Sequence, residues 1–127
     1  MLPSKNRMRF SADFSTTVRS GARSGRRNLV LYAVPTALDR PSTFGFIVSK
    51  AVGNAVTRNL VKRRLREIAV HSLRAYPQGL SVVVRALPAA ANADFCALSN
   101  DYRKTFAAAT SKFRAALPAA EQRGPAE

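Results

Sequence analysis

Three short runs decide what this chain can fold into. Asn28–Val34 (NLVLYAV), Thr43–Ser49 (TFGFIVS) and Leu80–Arg85 (LSVVVR) are rich in β-branched and aromatic residues and end at Pro, Gly or Asp-containing breaks, the pattern of strands. In the first, Val30, Tyr32 and Val34 point one way and Leu29 and Leu31 the other. A strand apolar on both sides is either covered on both faces or presents one face to a ligand. In the second, Phe44, Phe46 and Val48 alternate with Gly45 and Ile47.

Helical patterns separate these runs. Near the start, Ser11 is the expected N-cap, Asp13 suits the positive end of the helix dipole, and Phe14 and Val18 share a face. Gly21 is a natural stop, and Gly21–Arg27 reads as a basic loop. A longer helix is predicted from Asn54 to Arg74, where Val61, Leu65 and Ile68 fall within about 60° of one another and supply a core face. After Pro77 and Gly79 comes the third strand, then a loop of Pro88 and alanines. A last helix, capped by Asn92 or Ser99, carries a stripe of Tyr102, Phe106, Ala109 and Phe113 that reads as core. From Pro118 the composition is that of a frayed tail. The expected fold is α+β, a two-layer α/β sandwich with one small sheet in the order α-β-β-(β)-α-β-α, a single domain over 1–117 and a disordered tail over 118–127.

Charge narrows the function. The 127 residues hold 21 Lys and Arg against seven Asp and Glu, a net charge of +14. Residues 1–66 net +12 and residues 67–127 only +2, so the excess falls on the half with the strongest strand patterns. Charge on folded structure points to a shaped nucleic-acid surface, with an anionic membrane surface as the competing partner. No apolar run approaches the roughly 18 residues that span a bilayer, and the basic Met1–Arg9 leads into no apolar stretch, so no secretory signal is expected. Cys96 is the one cysteine, read as a small buried hydrophobe, and no Cys/His cluster suggests zinc. These features point to the cytoplasm.

The chemistry concentrates in Lys50–Glu67, KAVGNAVTRNLVKRRLRE. On a helix, Asn59, Lys62, Arg63 and Arg66 fall within an arc of about 100°, with Arg58 just beyond it, opposite the Val61/Leu65/Ile68 face. Most charged stripes are solvated faces, but those alternate sign to form i,i+4 pairs, and here Glu67 is the one acid. The bases are mainly Arg, whose planar fork suits bidentate phosphate contacts.

A Lys at a strand end, Gly-Asn-Ala-Val, then Arg-Asn-x-x-Lys-Arg-x-x-Arg resembles the signature of the ribonuclease P protein family, here Lys50, Gly53–Val56, Arg58, Asn59, Lys62, Arg63 and Arg66. Asn6–Arg9 followed by Asp13-Phe14 is similar to that family's start, and Phe44–Lys50 to its central strand. The resemblance spans roughly residues 5–87. It implies the fold of the second domain of ribosomal protein S5, with a left-handed βαβ crossover, an exception to the usual hand. It further implies a catalytic RNA as partner, which uses Mg²⁺ to remove the 5′ leader of precursor tRNA, with no catalytic or metal-ligating residue in the protein and no protein partner required. By matching position, Asn54, Arg58, Asn59, Lys62, Arg63 and Arg66 contact RNA, while Phe14, Val18, Tyr32 and Lys50 belong to a cleft for the leader. Val18 departs from the family, which often has an aromatic there. Val84-Arg85-Ala86 departs from an expected Ala-Arg order, which leaves Arg85 outside the expected site.

The rest of the chain offers no competing chemistry. The seven acids are scattered singly, and His71, the one histidine, has no evident second group for acid–base cleavage. It is expected at the surface or partly packed. No phosphate-cradling glycine loop or nucleophile elbow is present. A structural RNA-binder such as a ribosomal protein is the alternative to an accessory subunit; a self-sufficient ribonuclease is the third class.

Overall fold

A computed structural model describes residues 2–113. The expected tail over 118–127 lies outside the described residues.

The elements run α1 (Ser11–Ser20), β1 (Ala22–Gly25), β2 (Leu29–Pro35), β3 (Thr43–Ile47), α2 (Ala55–Ala75), β4 (Leu80–Ala86) and α3 (Phe95–Ser111), with short 3-10 turns at Ser4–Asn6 and Pro88–Asn92. The four strands form one mixed sheet in the order β1-β2-β4-β3. β2 pairs antiparallel with β1 and β4, whereas β3 and β4 are parallel and joined through α2, a βαβ unit. The last strand is therefore central. Being central explains its composition: in Leu80–Ala86 every residue is buried except Arg85.

Register sorts the side chains into two faces. Leu29, Leu31 and Ala33 on β2 stand opposite Ala86, Val84 and Val82 on β4, and Phe44 pairs with Val82. These residues face α2 and α3 and join Val61, Leu65, Ile68, Leu98, Tyr102 and Ala109 in one core. Val61, Leu65 and Ile68 are 1%, 0% and 4% exposed, so the predicted inner face of the long helix is the observed one. The other face carries Val30, Tyr32, Val34, Ser81, Val83, Arg85, Gly45 and Ile47. α1 lies across part of it, with the Thr17 and Ser81 hydroxyls 2.8 Å apart. The architecture is α+β, a sheet layered against α2 and α3, with α1 on the second face.

Several local expectations need correction. Phe10, not Ser11, is the N-cap of α1, and it makes no side-chain cap bond. Gly21 does end α1, but in an extended conformation (φ −78°), not the left-handed one. The supposed loop at Gly21–Arg27 contains β1, in register with β2 from Ala22↔Ala33 to Gly25↔Val30. As an edge strand it half-buries only alternate small residues, so its Gly and Ser content reads as a loop. Asp94, not Asn92 or Ser99, caps α3 by accepting from the Ala97 N–H at 2.8 Å. The buried stripe of α3 is Leu98, Tyr102, Thr105 and Ala109, with Phe106 and Phe113 half-buried against the core. Cys96 is exposed, because it lies in the first turn of α3, away from that stripe.

The N-terminal strap covers the open edge of β3. Arg7 bridges to Phe44, the Met8 N–H donates to the Phe44 carbonyl at 3.0 Å, and buried Asn6 donates through Nδ2 to the Ser42 carbonyl at 2.7 Å. This blunts a strand edge that would otherwise invite pairing with another chain.

Candidate RNA-binding surfaces

The helix that carries the basic stripe is started by Gly53 and Asn54. The segment after β3 turns back through Val52 N–H to the Ser49 carbonyl and Gly53 N–H to the Lys50 carbonyl, at 3.1 and 3.2 Å. Gly53 then takes φ +157°, which a side chain rarely tolerates, and an added Cβ would sit 3.1 Å from Thr57. Asn54 caps α2, its Oδ1 accepting from the Thr57 N–H at 2.9 Å. Asn54 is exposed, but half of its amide serves the helix rather than a ligand.

Along α2, Asn59 and Arg63 are exposed and Lys62 and Arg66 half-exposed, all on the side away from the sheet. Among the described residues the one ion pair within 4 Å is Arg26–Asp101, so Glu67 neutralises none of these bases. Arg58 behaves differently: it is half-buried, and its Nε is buried with no hydrogen-bond partner among the described residues. The structure adds two residues to the stripe. Arg74 extends it at the C-terminal end, and Val56 is 78% exposed beside Asn59 and Arg63. An apolar side chain carries no charge signal, so Val56 was illegible in the sequence.

The second surface lies on the opposite face of the sheet. Phe14, Val18, Ser15 and Arg19 of α1 form one wall of a shallow cavity of about 380 Å³, with Ile47 and Arg85 as its floor. Phe14 is half-buried and its ring rests on Gly45, where a Cβ would come within 2.4 Å of Cε1. Gly45 is therefore the seat of the ring. Val18, half-buried, faces the same cavity but offers no flat surface. Tyr32 is on the same sheet face, half-buried, cross-strand from Val83 and diagonal to Arg85, and stands just outside the cavity lining. Lys50 is exposed three residues beyond the end of β3. Thus Phe14 and Val18 come together in one cleft, while Tyr32 and Lys50 are outside its lining.

Arg85 is the residue that sequence reasoning set aside. An exposed Arg on a central strand is possible only where the covering layer stops, and α1 stops short of it. The available signal was the one charged residue within an otherwise apolar strand.

Among the described residues no three His, Cys, Asp or Glu side chains group together, so they form no all-protein metal cage. No helix among them is long and apolar enough to cross a membrane. His71 is exposed.

Comparison with known proteins gives a consistent picture. A family model described as Ribonuclease P matches residues 2–110. The chain is 58% identical over 120 residues to the ribonuclease P protein component of Arthrobacter sp. (strain FB24), covering 94% of this chain and 88% of that one. It is 58% identical over 112 residues to the corresponding protein of Kocuria rhizophila, covering 88% and 98%. Its fold is similar to that of the Staphylococcus aureus RNase P protein, with a TM-score of 0.72 at 26% identity over 82% of this chain and 94% of that one. An acid-poor basic helix on one face, a half-open cleft on the other and a match over nearly all the described residues lead to one conclusion: the chain belongs to the ribonuclease P protein family.

Proposed function

We propose that this chain is the protein subunit of ribonuclease P, that the outer stripe of α2 lies on the catalytic RNA, and that the α1 cleft takes the single-stranded 5′ leader of precursor tRNA. One observation carries the reading: the stripe and the cleft occupy opposite faces of the sheet, so one domain grips two RNAs at once. Arg63, Arg66 and Lys62 supply phosphate contacts with no acid beside them to compete. In the cleft, the ring of Phe14 stacks on a base while Arg85, Arg19 and Lys50 follow the phosphates, the mode by which single strands are held. Val18 packs against a base without stacking, which leaves Phe14 as the principal platform.

The chain contributes binding and positioning. It screens phosphate repulsion between substrate and RNA subunit and lengthens the grip on substrates that still carry a leader. The Mg²⁺ that serves hydrolysis belongs to the RNA, and this chain's scattered acids take no part. Work on tRNA precursors places the complex in the cytoplasm.

Reconstitution tests this. The protein added to the catalytic RNA is expected to raise affinity for leader-bearing precursor while leaving mature tRNA nearly unchanged, and to lower the Mg²⁺ requirement. Equal gains for both tRNAs would remove the leader cleft, and cleavage by the RNA-free chain would overturn the accessory role.

A further inference from the structure

The α2 stripe holds only part of the excess charge. At the other end of the sheet, β1 and the turn after it present Arg23, Arg26 and Arg27, and the adjoining edge of α3 adds Lys104 and Lys112, all exposed. These five bases face one acid, Asp101; the outer side of α2 has four (Lys62, Arg63, Arg66 and Arg74) against Glu67. The two patches are similar in charge, and they belong to opposite ends of the sheet: α3 packs on β1, and α2 on β3, about 14 Å away across three strand spacings.

A solvated loop would carry such charge without order. This one is anchored. Asp101 accepts from the backbone N–H of Asn28 at 3.1 Å, from Asn28 Nδ2 at 3.0 Å and from Arg26 Nε at 3.3 Å. The Arg26 N–H also closes the turn onto the Leu29 carbonyl at 2.9 Å. Lys112 Nζ ties the end of α3 to the Arg23 carbonyl at 2.6 Å. Asp101 is thus turned inward and occupied by the turn itself, while the side chains of Arg23, Arg27 and Lys104 make no hydrogen bond among the described residues. Arg23, cross-strand from Tyr32, leaves β1 on the cleft side of the sheet, whereas Lys104 stands on α3 over the other side, so the free bases wrap around the β1 edge.

We propose that this β1 edge is a second phosphate-binding surface, taking a segment of RNA backbone on the side of the domain away from α2. The inference rests on the RNA-binding function above and extends it: the domain bridges two stretches of the folded catalytic RNA. Arg27 and Arg23 meet phosphates directly; Asp101 and Asn28 are positioning residues that hold the turn in shape.

Two measurements on the full chain test it. The affinity for the catalytic RNA is followed against salt for wild type, for Arg23→Ala/Arg27→Ala/Lys104→Ala and for Arg63→Ala/Arg66→Ala. Each lost phosphate contact removes about 0.7–0.9 from the log–log slope, so the triple variant is expected to lose about two units. These side chains are exposed and unbonded, and a melting temperature no lower than that of wild type confirms the fold. A wild-type slope in the triple variant, with a reduced slope in the α2 variant, overturns the second surface and leaves the α2 assignment standing. A reduced slope in the triple variant alone supports the second surface and removes the α2 assignment. In the second measurement, an iron chelate is attached at Lys104→Cys or at Glu67→Cys in a Cys96→Ser background. It is expected to generate radical cleavages in two separate regions of the RNA. No cleavage from the Lys104 position would equally overturn the proposal.

Discussion

Replacing Phe14 separates the fold from the function of the cleft. The ring is half-buried on Gly45, so truncation to Ala forfeits about half of the 3–5 kcal/mol of a fully buried Phe, roughly 2 kcal/mol. For a domain of this size that lowers the melting temperature by about 8 °C. If the ring also stacks on a leader base, affinity for a leader-bearing precursor falls by a further 1–3 kcal/mol, about 5- to 150-fold, whereas mature tRNA is unaffected. Phe14→Leu is the decisive companion. Leu fills most of the seat and keeps most of the stability, but it has no flat face.

The assay is the dissociation constant of the reconstituted complex for precursor and mature tRNA, measured well below the melting temperature of each variant. Phe14→Leu is expected to melt close to wild type and yet to lose most of the leader-specific affinity. Should Phe14→Leu bind precursor like wild type while Phe14→Ala merely melts earlier, the ring is core and the stacking argument is wrong.

Three further outcomes are expected. Arg85→Ala, which removes an exposed charge from the cleft floor, should leave the melting temperature nearly unchanged and weaken binding of leader-bearing precursor with a lower salt slope, by about 0.7 for one single-strand phosphate contact; titration of binding against salt reads this directly. Asn54→Ala should cost about 0.5–2 kcal/mol of stability through the lost cap on Thr57, seen in denaturant unfolding, and Asn54→Ser or Asn54→Asp should restore it. Burial raises the Tyr102 hydroxyl above the tyrosine range, with Ser72 pulling the other way. The folded state then keeps a proton that the unfolded chain releases above about pH 10, so stability falls as pH rises past that point, and Tyr102→Phe should flatten the alkaline limb of a melting-temperature profile.

How far the sequence spoke depends on where each signal lives. Strands β2, β3 and β4 were legible because apolar alternation is local, and the inner face of α2 because a 3.6-residue period survives any surroundings. Strand β1 was not, since an edge strand of Ala, Arg, Ser and Gly gains its order from β2 rather than from its own composition. The caps expected at Ser11 and at Asn92 or Ser99 fall instead at Phe10 and Asp94: several residues near a boundary are chemically able to cap, and the neighbouring fold selects among them. The basic stripe was legible through charge alone. Arg85 showed only as a lone charge in an apolar strand, because its exposure depends on how far α1 extends over the sheet. Val56 was hidden for the converse reason, an apolar side chain that tertiary packing leaves outside.

The net charge of +14 sets stability and function against each other at the same residues. With one ion pair within 4 Å among the described residues, repulsion within the free domain is barely relieved internally. Salt, which screens over about 8–10 Å, therefore stabilises the isolated protein and weakens its hold on RNA. A polyanion that binds only the folded chain stabilises it by about 2.7 kcal/mol at a hundredfold excess over Kd, taking the part that internal acids play in other proteins. α2 shows how one element serves both ends: Val61, Leu65, Ala69 and Ser72 hold it to the domain, and on the function proposed above its outer bases oppose one another until a phosphate lies between them. Removing an outer Arg thus relaxes the free domain while it loosens the complex. Such a variant is more stable alone and less useful in company, and this opposition of signs distinguishes a charge kept for a partner from one kept for the fold.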